Sequence, residues 1–166
     1  MSEKRELILK YRNDVVNGKK LTRSTISELF NINNKFLLNL SDAANYITRH
    51  FHGSKVDIEE LANIKKNFCS EDCTFCSQSA FFNTKITGYE LPPPEEIVEQ
   101  ALNAKNDGAG SFCLVAAWRE PSILDFKKVC VIIEEINKKV GISVECSLGF
   151  LTDKQAKTLK KLQVKR

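Results

Sequence analysis

The sequence predicts an α/β fold: a helical N-terminal segment over residues 1–55, then parallel strands joined by helical crossovers over residues 56–166. Two observations predict it. Short apolar runs alternate with longer stretches whose apolar residues recur at helical spacing, and glycine or proline stands at most junctions. The resulting order of strand, loop, helix, strand, helix, strand, helix reads as three βα units, because parallel neighbours are joined by right-handed crossovers. A third observation concerns length. At 166 residues the chain falls short of the about 250 that a closed eight-stranded barrel needs. The expectation is therefore the N-terminal half of a TIM-type (β/α) barrel, incomplete in this chain and cut after the third βα unit.

The elements follow in order. Leu7, Ile8, Tyr11, Val15 and Val16 recur at helical spacing, and Gly18 offers a stop. Ile26, Leu29 and Phe30 mark a short second helix. Phe36, Leu37, Leu40, Ala43, Ala44, Ile47 and Phe51 mark an amphipathic third, closed by Gly53. Val56 to Ile64 reads as the first strand, and a loop with three cysteines follows it. Pro92-Pro93-Pro94 leads into a helix with Ile97, Val98, Ala101 and Leu102 on one face, ended by Gly108 and Gly110. Ser111 to Ala117 reads as a buried strand. Pro121 opens a helix striped by Phe126, Val129, Cys130, Ile133 and Ile136, and Gly141 stops it. Ile142 to Leu148 is the next strand. Thr152 and Gln155 form a capping-box pattern ahead of a helix lined by Ala156, Leu159 and Leu162. At Leu162 to Arg166 a fourth strand would be starting.

Composition narrows the function classes. Lys and Arg number 25 against 21 Asp and Glu, and the net charge of +4 is spread over isolated pairs such as Lys19-Lys20 and Lys160-Lys161. That pattern reads as solvated surface, with no nucleic-acid partner expected. No apolar run approaches about 18 residues, so no membrane helix is expected. Met1 to Lys10 is charged and lacks the apolar core of a signal peptide, which points to a cytoplasmic protein with reduced thiols.

Six cysteines are present: Cys69, Cys73, Cys76, Cys113, Cys130 and Cys146. In a reducing compartment, clustered cysteines suggest metal binding or catalysis. Cys69-Ser-Glu-Asp-Cys73-Thr-Phe-Cys76 places three thiols within eight residues, where they can converge on one metal centre. A closed zinc site wants four protein ligands, whereas an iron–sulfur cluster held by three leaves one iron open for a substrate or cofactor. A zinc site completed by His50 or His52, and three idle thiols, are the alternatives that the residues leave open. Cys130 lies on an apolar helix stripe and reads as core. By themselves, Cys113 and Cys146 read as small hydrophobes in apolar strands.

The C-x3-C-x2-C spacing, with Phe75 before the last cysteine, resembles the signature of the radical S-adenosylmethionine (SAM) superfamily. Three segments together are similar in order and spacing to its biotin synthase family: Cys69 to Ser79, Ser111-Phe-Cys113-Leu-Val-Ala-Ala-Trp118, and Glu145-Cys146-Ser-Leu-Gly149. The resemblance runs from the helical segment to the last residue. It implies that Cys69, Cys73 and Cys76 ligate a SAM-binding [4Fe-4S] cluster. Phe75 matches the aromatic whose backbone lies near the adenine, and Ala116 falls near the strand end that contacts the SAM amino group. Cys113 and Cys146 match two ligands of a sulfur-donating [2Fe-2S] cluster, on strands whose side chains can point into a barrel. It implies sulfur insertion converting dethiobiotin to biotin, with reduced flavodoxin or ferredoxin as electron donor and a homodimer in the full-length family. Two positions depart from the pattern: Asn67 stands where the family often has Gly, and Ser111 where some members have Arg. The remaining half of the barrel would carry the other [2Fe-2S] ligands and the substrate-binding strand ends, so this chain is not expected to make biotin by itself. Other enzymes of the superfamily, of hydrogenase-maturase or methylornithine-synthase type, share the first motif. A non-enzymatic iron–sulfur or zinc module is the remaining alternative.

Overall fold

Three parallel strands organise most of the molecule, and their register decides what lies on each face of the sheet. In the computed structural model, which describes residues 3–166, the chain divides into two units, Met1–Val56 and Asp57–Arg166.

The first unit is helical: α1 (Glu3–Val16), α2 (Arg23–Phe30), a 3-10 turn (Asn34–Phe36) and α3 (Leu37–His52). Thr22 caps α2 by accepting from the Thr25 amide. The core is small, with Ile8, Phe36 and Ala43 buried against Leu29, Ile32 and Leu40. Polar contacts supplement it, since Lys4 and the Tyr11 hydroxyl both donate to the Glu28 carboxylate, at 2.8 and 3.0 Å. Phe36 belongs to the 3-10 turn rather than to α3, and Leu37 and Phe51 of the expected stripe are exposed.

The second unit holds β1 (Glu59–Lys65), α4 (Pro94–Asn106), β2 (Ser111–Ala116), α5 (Ile123–Lys139), β3 (Ser143–Ser147) and α6 (Asp153–Lys161). The strands form one sheet of order β1-β2-β3, parallel throughout. Ser111 is level with Glu59 on one side and with Ser143 on the other. Successive strand residues point to opposite faces, and residues level with each other share a face. One face carries Ala62, Phe112, Leu114 and Val144, which are buried with α4 and α5 in a continuous apolar core. Ser122 and Thr152 cap α5 and α6, and the expected Thr152–Gln155 capping box is present in both directions. Each such cap contributes about 1 kcal/mol.

The structure differs from expectation at two edges. β1 begins at Glu59 because β2 begins at Ser111, so Val56 and Ile58 have no strand opposite them and are exposed. α5 begins at Ile123 because Ser122, not Pro121, supplies the capping oxygen, accepting from the Asp125 amide at 3.0 Å. Beyond α6 the chain turns back along β3. The Lys165 amide donates to the Val144 carbonyl at 3.0 Å and the Cys146 amide to the Arg166 carbonyl at 2.7 Å, so the last residues lie along β3.

Leu114 is fully buried at the middle of the central strand. Leu114→Ala should lower the unfolding free energy by about 2–5 kcal/mol in a denaturant titration. A loss below about 1 kcal/mol would mean that the sheet does not pack against α4 and α5 as described.

Candidate metal centre

Between β1 and α4 the chain runs through residues 66–93 without a helix or strand. Polar contacts order this stretch. Lys66 and Tyr89 exchange backbone hydrogen bonds at 3.0 and 3.1 Å and close it at its neck. Asn67 sits at φ 66°, in the left-handed region that asparagine tolerates better than most residues. Its side chain accepts from the Phe68 amide and donates to the Ile86 carbonyl, while its own amide donates to the Gln78 side chain. Phe68 follows at φ 60°, and a Cβ on Gly88 would lie 2.4 Å from its ring. Gly88 therefore leaves room for Phe68.

The cysteines lie on the inner part of this loop. Cys69 is pinned by its backbone, donating to the Gln78 carbonyl at 3.0 Å and accepting from the Ala80 amide at 2.9 Å. Cys73 and Cys76 bracket a turn in which the Cys76 amide donates to the Cys73 carbonyl at 2.9 Å. Ser79, 1% exposed, donates to the Glu71 carbonyl and ties the two arms together. None of the three thiols is in a disulfide; Cys73 is exposed, and Cys69 and Cys76 are half-buried. Phe75, 94% exposed, projects from the turn. Among the described residues no three His, Cys, Asp or Glu side chains are gathered into a metal-holding group. The donor set still fits an iron–sulfur cluster: three soft thiols within eight residues on one hydrogen-bonded loop.

The loop is tied to the strand ends. Arg119, three residues past β2, donates to both carboxylate oxygens of Glu71 at 3.1 Å. Its guanidinium lies 5.0 Å from the Phe150 ring centre, and its carbonyl accepts from the Phe150 amide at 2.8 Å. Gly149 at φ 68° permits this approach, since a Cβ there would lie 2.2 Å from the Arg119 carbonyl oxygen. Trp118 donates its indole N–H to the Leu148 carbonyl at 2.8 Å. Ala116 ends β2, with its carbonyl accepting from the Trp118 amide.

The sheet face away from the helices carries Glu59, Leu61, Ser111, Cys113, Ser143 and Glu145. Cys113 is level with Glu145. Arg166 reaches both acids of this face, with Nε 2.6 Å from Glu145 and a terminal nitrogen 3.2 Å from Glu59. That guanidinium holds the Glu145 carboxyl below its ordinary value of 4.5. Burial raises the Cys113 thiol, and the carboxylates of Glu59 and Glu145 add to the effect. Cys146 is level with Leu114 and packs against the helix-side core, where burial pushes its thiol up to about 12. Cys113 and Cys146 were expected to face one barrel interior; strand alternation places them on opposite faces of the sheet. Cys130 lies on the helix side and packs against the core, as its stripe suggests. His50 and His52 belong to α3 in the other unit.

A family model described as the radical SAM superfamily matches residues 63–166. The chain belongs to the radical SAM superfamily. The match takes in the end of β1, the whole cysteine loop and both later strands of the sheet. Among curated radical SAM relatives, a biotin synthase of Nitrosopumilus maritimus is 61% identical over 97% of this chain and 49% of its own length. One of Cenarchaeum symbiosum is 53% identical over 96% and 49%. The chain spans about half the length of the curated relatives it matches. Two solved structures share the fold. The [FeFe]-hydrogenase maturase HydG has a TM-score of 0.77 at 19% identity, over 96% of this chain and 36% of its own. Methylornithine synthase has 0.78 at 20%, over 92% and 44%. The partial parallel sheet with its helices is thus part of a radical SAM barrel. No helix among the described residues is long and apolar enough to cross a membrane.

Glu71, Ser79, Arg119 and Glu145 were not singled out by sequence. Glu71 and Arg119 carry no local signal, since their contact spans 48 residues.

Two outcomes test this geometry. Arg119→Ala should leave circular dichroism unchanged while Cys69 and Cys76 alkylate severalfold faster; unchanged rates would show that the ion pair does not tether the loop. Glu145, with its folded pKa depressed, contributes stability that is present above its unfolded pKa and lost as pH falls through the folded value. The melting temperature of the wild type should therefore fall more steeply than that of Glu145→Gln on acidification below pH 4.5. Parallel curves would dismiss the Arg166 pairing.

Proposed function

We propose that Cys69, Cys73 and Cys76 hold a [4Fe-4S] cluster whose open iron takes SAM, and that the chain is the N-terminal part of a biotin synthase, a sulfurtransferase converting dethiobiotin to biotin. The observation that carries the specific reaction is the 61% identity to a biotin synthase along 97% of this chain. Three thiols within eight residues support the cluster reading, because a [4Fe-4S] cluster held by three cysteines leaves one iron free for a cofactor. When bound, the cluster supplies one electron to the SAM sulfonium and so gives access to hydrogen abstraction from an unactivated carbon.

The chain's own residues supply the setting. The hydrogen bonds of Asn67, Gln78 and Ser79 hold the loop so that the cysteine backbone is placed before any metal arrives. Arg119 orients the loop toward the ends of β2 and β3 by gripping Glu71. The strand-end backbone at Ala116 is where the SAM amino group would lie, and the exposed Phe75 offers its backbone near the adenine. The open sheet face, once covered, excludes water from the reacting carbon. A second, [2Fe-2S] cluster as sulfur source, reduced flavodoxin or ferredoxin as donor, a homodimer and a cytoplasmic location belong to the same reading.

Anaerobic reconstitution of the chain with iron and sulfide should yield about four irons in a visible-absorbing cluster. SAM should perturb its spectrum, and replacing all three loop cysteines by alanine should remove it. Iron content left unchanged by the triple substitution would refute the site. The reaction is tested separately. A chimera joining this chain to the C-terminal half of the Nitrosopumilus relative should rescue a biotin auxotroph, and its Cys69→Ala version should not. Failure of a soluble, iron-loaded chimera would count against the biotin reading.

A further inference from the structure

Two thiolates, from Cys113 and Cys146, are what the proposed second cluster would draw from β2 and β3, and the sheet does not offer them together. Cys113 has Leu61 and Glu145 as its level neighbours. Cys146 has Leu114 as its own, and packs in the core between sheet and helices. The pattern along β3 is consistent over its whole length. Ile142, Val144 and Leu148 are buried on the side of Cys146, while Ser143 and Ser147 fall on the side of Glu145. Bringing Cys146 to the open face needs a one-residue slip of β3, which would carry Val144 and Leu148 out of the core with it.

We infer that Cys146 is a packing thiol of this chain, and that the β3 side chain presented beside Cys113 to a metal centre on the open face is the carboxylate of Glu145. A thiolate and a carboxylate are a harder donor pair than two thiolates. Glu145 is 8% exposed and already partnered by Arg166, so the arginine both neutralises it and sets its direction. The metal half of this inference rests on the proposed cluster chemistry; the placement of the side chains does not.

The test separates the two. In a chain whose three loop cysteines are serine, dibromobimane, a short reagent that bridges neighbouring thiols, should not link Cys113 to Cys146, as judged by peptide mapping. Glu145→Cys in the same background should give a link between Cys113 and the introduced thiol, because facing residues on adjacent strands lie about 4.8 Å apart. Without any substitution on the sheet, native alkylation should modify Cys113 faster than Cys146. A Cys113–Cys146 bridge, or faster labelling of Cys146, would overturn the placement. For the metal, Cys146→Val should keep both the melting temperature and the iron content of the reconstituted wild type. A folded Cys146→Val chain with less iron would overturn the inference. Absence of iron from the wild type itself would instead count against the cluster reading and leave the bridging result to stand.

Discussion

The backbone hydrogen bonds that hold Ser111 level with Glu59 and with Ser143 commit every side chain of the sheet to one of two environments. On one side Phe112, Leu114 and Val144 are sealed under α4 and α5; on the other, where no helix packs, Cys113 stands level with Glu145, which Arg166 covers. Neither arrangement can change alone. A slip of one residue exchanges the faces, and the apolar area lost is about 25 cal/mol for each Å² exposed. The chemistry available to the open face is therefore set by the packing requirements of the opposite one.

The cysteine loop obeys a different rule. It has little apolar surface to bury: Phe68, Phe75 and Phe81 all lie largely exposed. Its order comes from side chains that satisfy backbone groups, with Asn67, Gln78 and Ser79 replacing the ladder that a strand would provide. Arg119 then joins this polar unit to the strand ends by one bidentate contact. A loop built in this way positions three cysteines without a core of its own, with Cys73 exposed and Cys69 and Cys76 half-buried.

Much of the fold was legible because the relevant signals are local. Helix caps at Thr152 and Ser122, and the periodic stripes of α4 and α5, sit within a few residues of the structure they specify. The C-x3-C-x2-C spacing is local in the same way, three cysteines within eight residues. The face of Cys146 was also written in the sequence, in the alternation of Ile142, Val144, Cys146 and Leu148 with Ser143, Glu145 and Ser147, but matching whole motifs passes over a period of two. The Glu71–Arg119 and Glu145–Arg166 contacts were not legible. Each joins residues distant in sequence, and a charged side chain gives no sign of its partner until the strands are in register.

The unequal exposure of the loop thiols bears on how the molecule ages. Cys73 stands outermost, while Cys130 and Cys146 pack against the core of the sheet. Oxidation follows access, so sulfenic acid or a glutathione adduct forms first at Cys73. Such damage alters one thiol of the loop without touching the packing that keeps the strands together. A preparation exposed to air thus loses a free thiol of the loop while its fold survives, and because these early products are reversible a thiol reductant restores what was lost.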